Sequence, residues 1–227
     1  MTDGDRAAGR VDGIYLVTDT QLCGRRGVVE TARAAVAGGV RIVQVREKSA
    51  STADLYELVL RTAEAVGHAA TVLVDDRIDV FLAARAAGAA VHGVHTGQSD
   101  LPVERVRALV GARAVVGLTA NTREHLDTLH RLPAGTVDYL GVGVIRPTST
   151  KADHPAPLGT DGFGRIAAAT PLPCMAIGGI EPGDVVPLRR AGAAGIAVVS
   201  AICAADHPTR SAEDLAARWD SGGSSPA

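Results

Sequence analysis

The chain has 227 residues, of which 46% are hydrophobic and 21% charged, with a formal net charge of −2. That composition excludes overall disorder, and the near-neutral charge provides no global attraction for nucleic acid. At roughly 100–200 residues per domain, the length suits one large domain.

In chain order, residues 1–13 read as a flexible N-terminal segment. A β-branched apolar run follows at 14–19 (IYLVTD), then an Ala- and Val-rich helical stretch at 28–39. The next pair is a strand at 42–47 (IVQVRE) and a helix at 52–67, entered through Ser51 or Thr52. Further strands are read at 71–76, 90–95, 114–119, 137–144, 173–179 and 195–201, with helical spacing between them. Helix starts are marked by Pro102, Thr122, Pro182 and Ser211. Helix ends are marked by Gly38-Gly39, Gly67, Gly88, Gly111 and Gly192. Residues 220–227 read as a disordered tail, which leaves 14–219 as the folded body.

Regular alternation of this kind indicates parallel strands with crossover helices, and near-continuous apolar strands indicate burial on both faces. Eight such units in one chain predict an α/β fold, a single-domain (β/α)8 TIM barrel. The alternative is an open doubly wound sheet, but no GxGxxG opens a first helix. Cys23, Cys174 and Cys203 form no CxxC pair, which argues against a disulfide framework or structural zinc. Reduced thiols fit a cytoplasmic protein. No run is long enough to span a membrane, and the polar first residues lack the apolar core of a signal peptide. Six aromatic residues leave few platforms for stacking single-stranded nucleic acid. The expected partners are therefore small molecules rather than nucleic acid or membrane, with a homo-oligomer left open.

In a barrel, chemistry sits at the C-terminal strand ends and in the loops that follow. Those ends carry specific polar residues here. Arg46 and Lys48 alternate along an extended segment, with Glu47 on the other side, an arrangement suited to pyrophosphate. Asp76 and Asp100 end adjacent strands and could share a hard cation such as magnesium. Alternatively, each caps the helix that follows it. Thr148, Ser149, Thr150 and Lys151 form a loop of hydroxyls and one cation, and Gly178-Gly179 permits close backbone approach. His92 and His95 point to opposite faces and make no metal pair, with His95 near the rim. Only two of the 23 basic residues are lysine, and both, Lys48 and Lys151, fall in these loops.

These motifs resemble the thiamine phosphate synthase family over nearly the whole barrel, from about Tyr15 to Ile202. QVREK at 44–48, DDRIDV at 75–80 and GVHTGQSDLP at 93–102 match family patterns in order. So do DYLGVG at 138–143, PTSTK at 147–151, AIGGI at 176–180 and VSAI at 199–202. The resemblance implies condensation of a pyrimidine methyl diphosphate with a thiazole phosphate, releasing pyrophosphate. It implies Mg2+ on Asp76 and Asp100. It implies a pyrimidine diphosphate site of Gln44, Val45, Arg46, Glu47, Lys48, Asp75, Thr119 and Lys151, with Arg46, Lys48 and Lys151 acting on the leaving group. It implies a thiazole phosphate site of Thr148, Ser149, Thr150, Gly179, Val199 and Ser200.

Four positions depart from the family pattern. Asp75 replaces an Asn, Thr119 a Ser, Val144 a Pro and Arg146 an aromatic residue. Arg146 is expected to point to solvent rather than clamp a phosphate. Two rivals stand beside the synthase: a thiazole phosphate tautomerase of a related barrel family, and a non-catalytic phosphate-ligand sensor.

Overall fold

The computed structural model describes residues 11–148 and 156–223. Eight short strands carry the pattern: β1 (Gly13–Val17), β2 (Ile42–Val45), β3 (Thr71–Asp75) and β4 (Gly93–Thr96), then β5 (Val115–Thr119), β6 (Tyr139–Gly143), β7 (Cys174–Ile177) and β8 (Gly195–Val198). Each pairs in parallel with the next, and β8 closes on β1 with Ile14 opposite Ile196 and Leu16 opposite Val198. The closed sheet settles the choice between barrel and open sheet.

Alternation along each strand sorts the side chains into two cores. In β1, Ile14 and Leu16 join the outer core between strands and helices, whereas Tyr15 and Val17 point into the barrel. In β2, Val43 and Val45 face outward and Ile42 inward. The inner core is small: Tyr15, Leu73, Val115, Tyr139 and Met175 fill much of it. Glycine makes room for its largest member. A Cβ on Gly117 would lie 2.2 Å from the Tyr139 ring.

The helices fill the outer layer. After β1 come α1 (Thr20–Cys23), a short 3-10 turn and α2 (Gly27–Ala37). α3 (Thr52–Val66) buries Leu55, Val59, Thr62, Ala63 and Val66, an i, i+4 stripe. Ser51 caps it, accepting from the Asp54 N–H at 3.1 Å. α4 (Ile78–Ala86), α5 (Val103–Val110) and α6 (Arg123–Leu129) follow β3, β4 and β5, and Thr122 caps α6 by accepting from the His125 N–H. α7 (Gly159–Ala167), α8 (Val185–Arg190), α9 (Ser200–Cys203) and α10 (Pro208–Ser221) complete the ring.

The last helix starts at Pro208 rather than at Ser211. Proline's fixed φ suits the first helical position, and its missing N–H is unpaired there in any helix. Ser211 instead donates its hydroxyl to the Ala201 carbonyl at 2.9 Å. All three cysteines are buried. No helix among the described residues is long and apolar enough to cross a membrane.

Candidate active site

A cavity of about 420 Å3 opens at the C-terminal ends of the strands. Gln44, Arg46, Asp75, His95 and Thr119 line one side, and Thr148, Gly178, Gly179, Val199 and Ser200 the other. The barrel register produces this. Gln44 pairs with Leu73, and Asp75 with His95, so inward positions of neighbouring strands meet in one layer.

The β2–β4 side is a cluster of alternating charge. The Asp75 side chain is only 11% exposed and forms ion pairs with two cations. Arg46 Nε lies 3.6 Å and Lys48 Nζ 3.4 Å from its Oδ2. Arg46 also lies 3.7 Å from Asp19, and Lys48 donates to Asp76. Burial pushes the Asp75 carboxyl above its usual range, although Lys48 and Arg46 pull it down. Burial also opposes the charge on Lys48, but the Asp76 hydrogen bond and the Asp75 charge outweigh it and hold the ammonium above its ordinary range. Glu47 bonds to Thr20 and within its own turn. It accepts from Ser49 N at 2.7 Å and Ala50 N at 3.3 Å, folding the turn that carries Lys48. The Thr20 hydroxyl, with these bonds, takes its carboxyl down to about 2.

Neither Asp76 nor Asp100 caps a helix. The residues before α4 and α5 are Arg77 and Pro102, and neither makes a side-chain cap. Asp76 instead adopts φ +56, a left-handed conformation that Asp tolerates better than most side chains. Asp100 accepts from Gly97 N at 2.7 Å. Burial, with Asp76 close by, raises its carboxyl above the usual range. Two carboxylates that face each other at this cost are suitable hard-oxygen donors for a divalent cation. Among the described residues no third His, Cys, Asp or Glu joins them, so further ligands would come from substrate oxygens or water.

The β6–β8 side is made mainly of backbone and uncharged side chains. Gly178 and Gly179 both have positive φ, at +94° and +64°. A Cβ on Gly179 would lie 2.8 Å from Arg146 Cβ and from the Arg146 and Pro147 carbonyl oxygens, so glycine lets the loop after β6 lie directly on β7. Arg146 does not simply point to solvent. It donates Nε and Nη2 to the two oxygens of Asp184, each at 2.8 Å, in a bidentate pair. The buried carboxylate also accepts from Glu181 N at 2.9 Å. The sequence conceals this pair because its members are 38 residues apart.

Of the residues singled out in the sequence, Gln44, Arg46, Asp75, Thr119, Thr148, Gly179, Val199 and Ser200 share the cavity. Lys48, Asp76 and Asp100 form the adjoining charged cluster through Asp75 and Gly97. Val45 does not join them, because its side chain is buried in the outer core. Ser149, Thr150 and Lys151 lie outside the described residues. Two residues on the cavity wall had not been assigned a role. His95 bonds to Thr119 and Tyr139, and Asn121 accepts from Gly143 N at 3.0 Å. Their position at strand ends was the available signal.

The thiamine monophosphate synthase family model matches residues 14–202. The thiamine-phosphate synthase of Corynebacterium efficiens is 46% identical over 188 residues, covering 83% of this chain and 87% of that protein. The one from Psychrobacter sp. is 40% identical over 205 residues, covering 90% of this chain and 94% of that protein. Among solved structures, the thiamine phosphate pyrophosphorylase of Pyrococcus furiosus superposes with a TM-score of 0.80 at 29% identity, covering 93% and 97% of the two chains.

Proposed function

The chain belongs to the thiamine monophosphate synthase family, an enzyme family of thiamine biosynthesis, and on that premise we propose the reaction and the roles that follow. The enzyme joins 4-amino-2-methyl-5-(diphosphooxymethyl)pyrimidine to a thiazole phosphate, or to its carboxylated form with loss of carbon dioxide. The methylene C–O bond breaks and its electron pair leaves with pyrophosphate. The cation left behind is delocalised into the aminopyrimidine. The thiazole nitrogen lone pair then forms the new C–N bond.

No general base is needed for that step, so the protein's task is to neutralise charge and align the reactants. Arg46 suits bidentate contact with the diphosphate, and Lys48 adds a compact positive charge beside it. By family resemblance Lys151 supplies a third cation. Asp76 and Asp100 would hold magnesium, which when bound adds positive charge to the leaving group. Gln44, Asp75 and Thr119 would meet the pyrimidine, and Thr148, Gly179, Val199 and Ser200 the thiazole phosphate.

One observation carries this reading: Arg46 and Lys48 both converge on Asp75 beside Asp76, in a cavity that continues to Gly179 and Ser200. Incubation with both substrates and magnesium is the test. Thiamine phosphate and pyrophosphate in equal amounts are expected. Thiazole isomerisation alone, or saturable binding without turnover, would overturn the reading in favour of a tautomerase or a sensor.

A further inference from the structure

Barrel interiors are usually filled by branched aliphatic side chains. Here three polar rings and hydroxyls run in a line through the interior to the cavity wall. Tyr15 and Tyr139, each no more than 2% exposed, hold their hydroxyls 2.9 Å apart. The Tyr139 hydroxyl is also 2.9 Å from His95 Nδ1, and His95 Nε2 is 3.1 Å from Thr119 Oγ1. Gly141 makes room for the imidazole, since a Cβ there would lie 3.0 Å from His95 Cε1.

The direction of this chain follows from counting protons. Each hydroxyl carries one, and neutral imidazole carries one. Tyr15 has no other side-chain hydrogen-bond partner among the described residues, so its proton goes to the Tyr139 oxygen. Tyr139 must then donate to His95 Nδ1. The ring proton is left on Nε2, which donates to Thr119 Oγ1. The Thr119 proton remains for the cavity. With every bond reversed, the Tyr15 proton has no side-chain acceptor among the described residues, beside a cavity of about 40 Å3 walled mainly by apolar atoms, and such a buried unpaired donor is costly. An imidazolium strands a phenol proton as well, because both ring nitrogens would then donate. Burial raises both phenols above their usual range, so they keep their protons.

We infer that Tyr15, Tyr139 and His95 form a directional relay that fixes Thr119 as a hydrogen-bond donor toward a ring nitrogen of the aminopyrimidine. This rests on the reading of the cavity given under Proposed function. His95 is a positioning residue that acts through Thr119. A neutral imidazole also keeps a second positive charge away from a ring on which a cation develops. The relay selects against substrates that present a donor at that point, since two donors would face each other.

Nitrogen NMR of the histidine rings in the unaltered enzyme, without ligand and at neutral pH, tests the direction. His95 is expected as the neutral Nε2–H tautomer; an Nδ1–H tautomer or an imidazolium would overturn the relay. Kinetics of Tyr139→Phe test its use. A roughly tenfold loss in kcat/KM for the pyrimidine diphosphate is expected, the scale of one hydrogen bond, with the thiazole phosphate KM unchanged. That loss should disappear with a substrate analogue in which the contacted ring nitrogen is replaced by C–H. Its persistence with analogues at each ring nitrogen, or an equal rise in both KM values, would refute the assignment. Failure of the unaltered enzyme to form thiamine phosphate would instead break the functional reading and leave the NMR result standing.

Discussion

On the β2–β4 side the cavity wall carries the charged side chains of Arg46 and Asp75, and ion pairs run on from Asp75 to Lys48 and from Lys48 to Asp76. On the β6–β8 side the cavity is bounded mainly by backbone and uncharged side chains, with Gly178 and Gly179 at their centre and Glu181 the one charged residue among the described lining. On the proposed reading the first side recognises by charge, so its function depends on the identity of a few side-chain ends. On the same reading the second recognises by shape and backbone, so it depends on what is missing, a Cβ. Each side is nonetheless held by a carboxylate that accepts backbone N–H groups: Glu47 from Ser49 and Ala50, and Asp184 from Glu181.

The sharpest way to break the comparison is on the charged side. Asp100→Ala is expected to abolish turnover at ordinary magnesium concentrations and to raise the magnesium requirement by more than about 10-fold. A magnesium titration of steady-state rates checks this, and near-normal turnover would remove Asp100 from the metal assignment. A smaller effect is expected from Gly179→Ala on the other side. The φ of +64° and the 2.8 Å approach to Arg146 predict a loss of about 1–3 kcal/mol in stability. They also predict a rise in the thiazole phosphate KM larger than that for the pyrimidine diphosphate. Melting curves with separate KM measurements decide it, and a loss confined to the pyrimidine substrate would show that the two sides are not distinct.

The smallest effect concerns the two supporting carboxylates. Arg146 holds Asp184 below its usual range, and Thr20 with Ser49 takes Glu47 to about 2. A depressed carboxyl contributes stability that is complete above its unfolded pKa, about 3.9 for Asp and 4.3 for Glu. That contribution is lost as pH falls through the folded pKa. The melting temperature should therefore drop between about pH 4.5 and 2. Glu47→Gln and Asp184→Asn should each flatten the drop slightly, and curves parallel to the parent's would dismiss the effect.

The eight strands were legible because buried parallel strands require continuous β-branched runs, such as IVQV in β2 and TVLV in β3. The start of α10 was placed three residues late because Ser211 has the composition of a cap, yet it bonds across to Ala201 instead. Within the site, the spacing of Arg46, Glu47 and Lys48 was enough to put the two cations on one side, since alternation in an extended segment is a local rule. The same rule places Val45 away from the cavity once the inward face of β2 is known. The pairing of Arg146 with Asp184 and the line from Tyr15 to Thr119 had no local signal. Their partners lie 24 to 124 residues apart and meet only in the folded barrel.

The sequence by itself determined the number and order of the βα units and which strand ends bring polar residues to the cavity, because periodicity and strand-end position are properties of short segments. The tertiary structure decided which of those residues act together. Closure of β8 on β1 sets the register, and register alone brings Tyr15 within 2.9 Å of Tyr139 across 124 residues. The carboxylates of Asp76 and Asp100 show the same kind of choice: neither caps the helix that follows it, and they meet Lys48 and the Gly97 N–H instead.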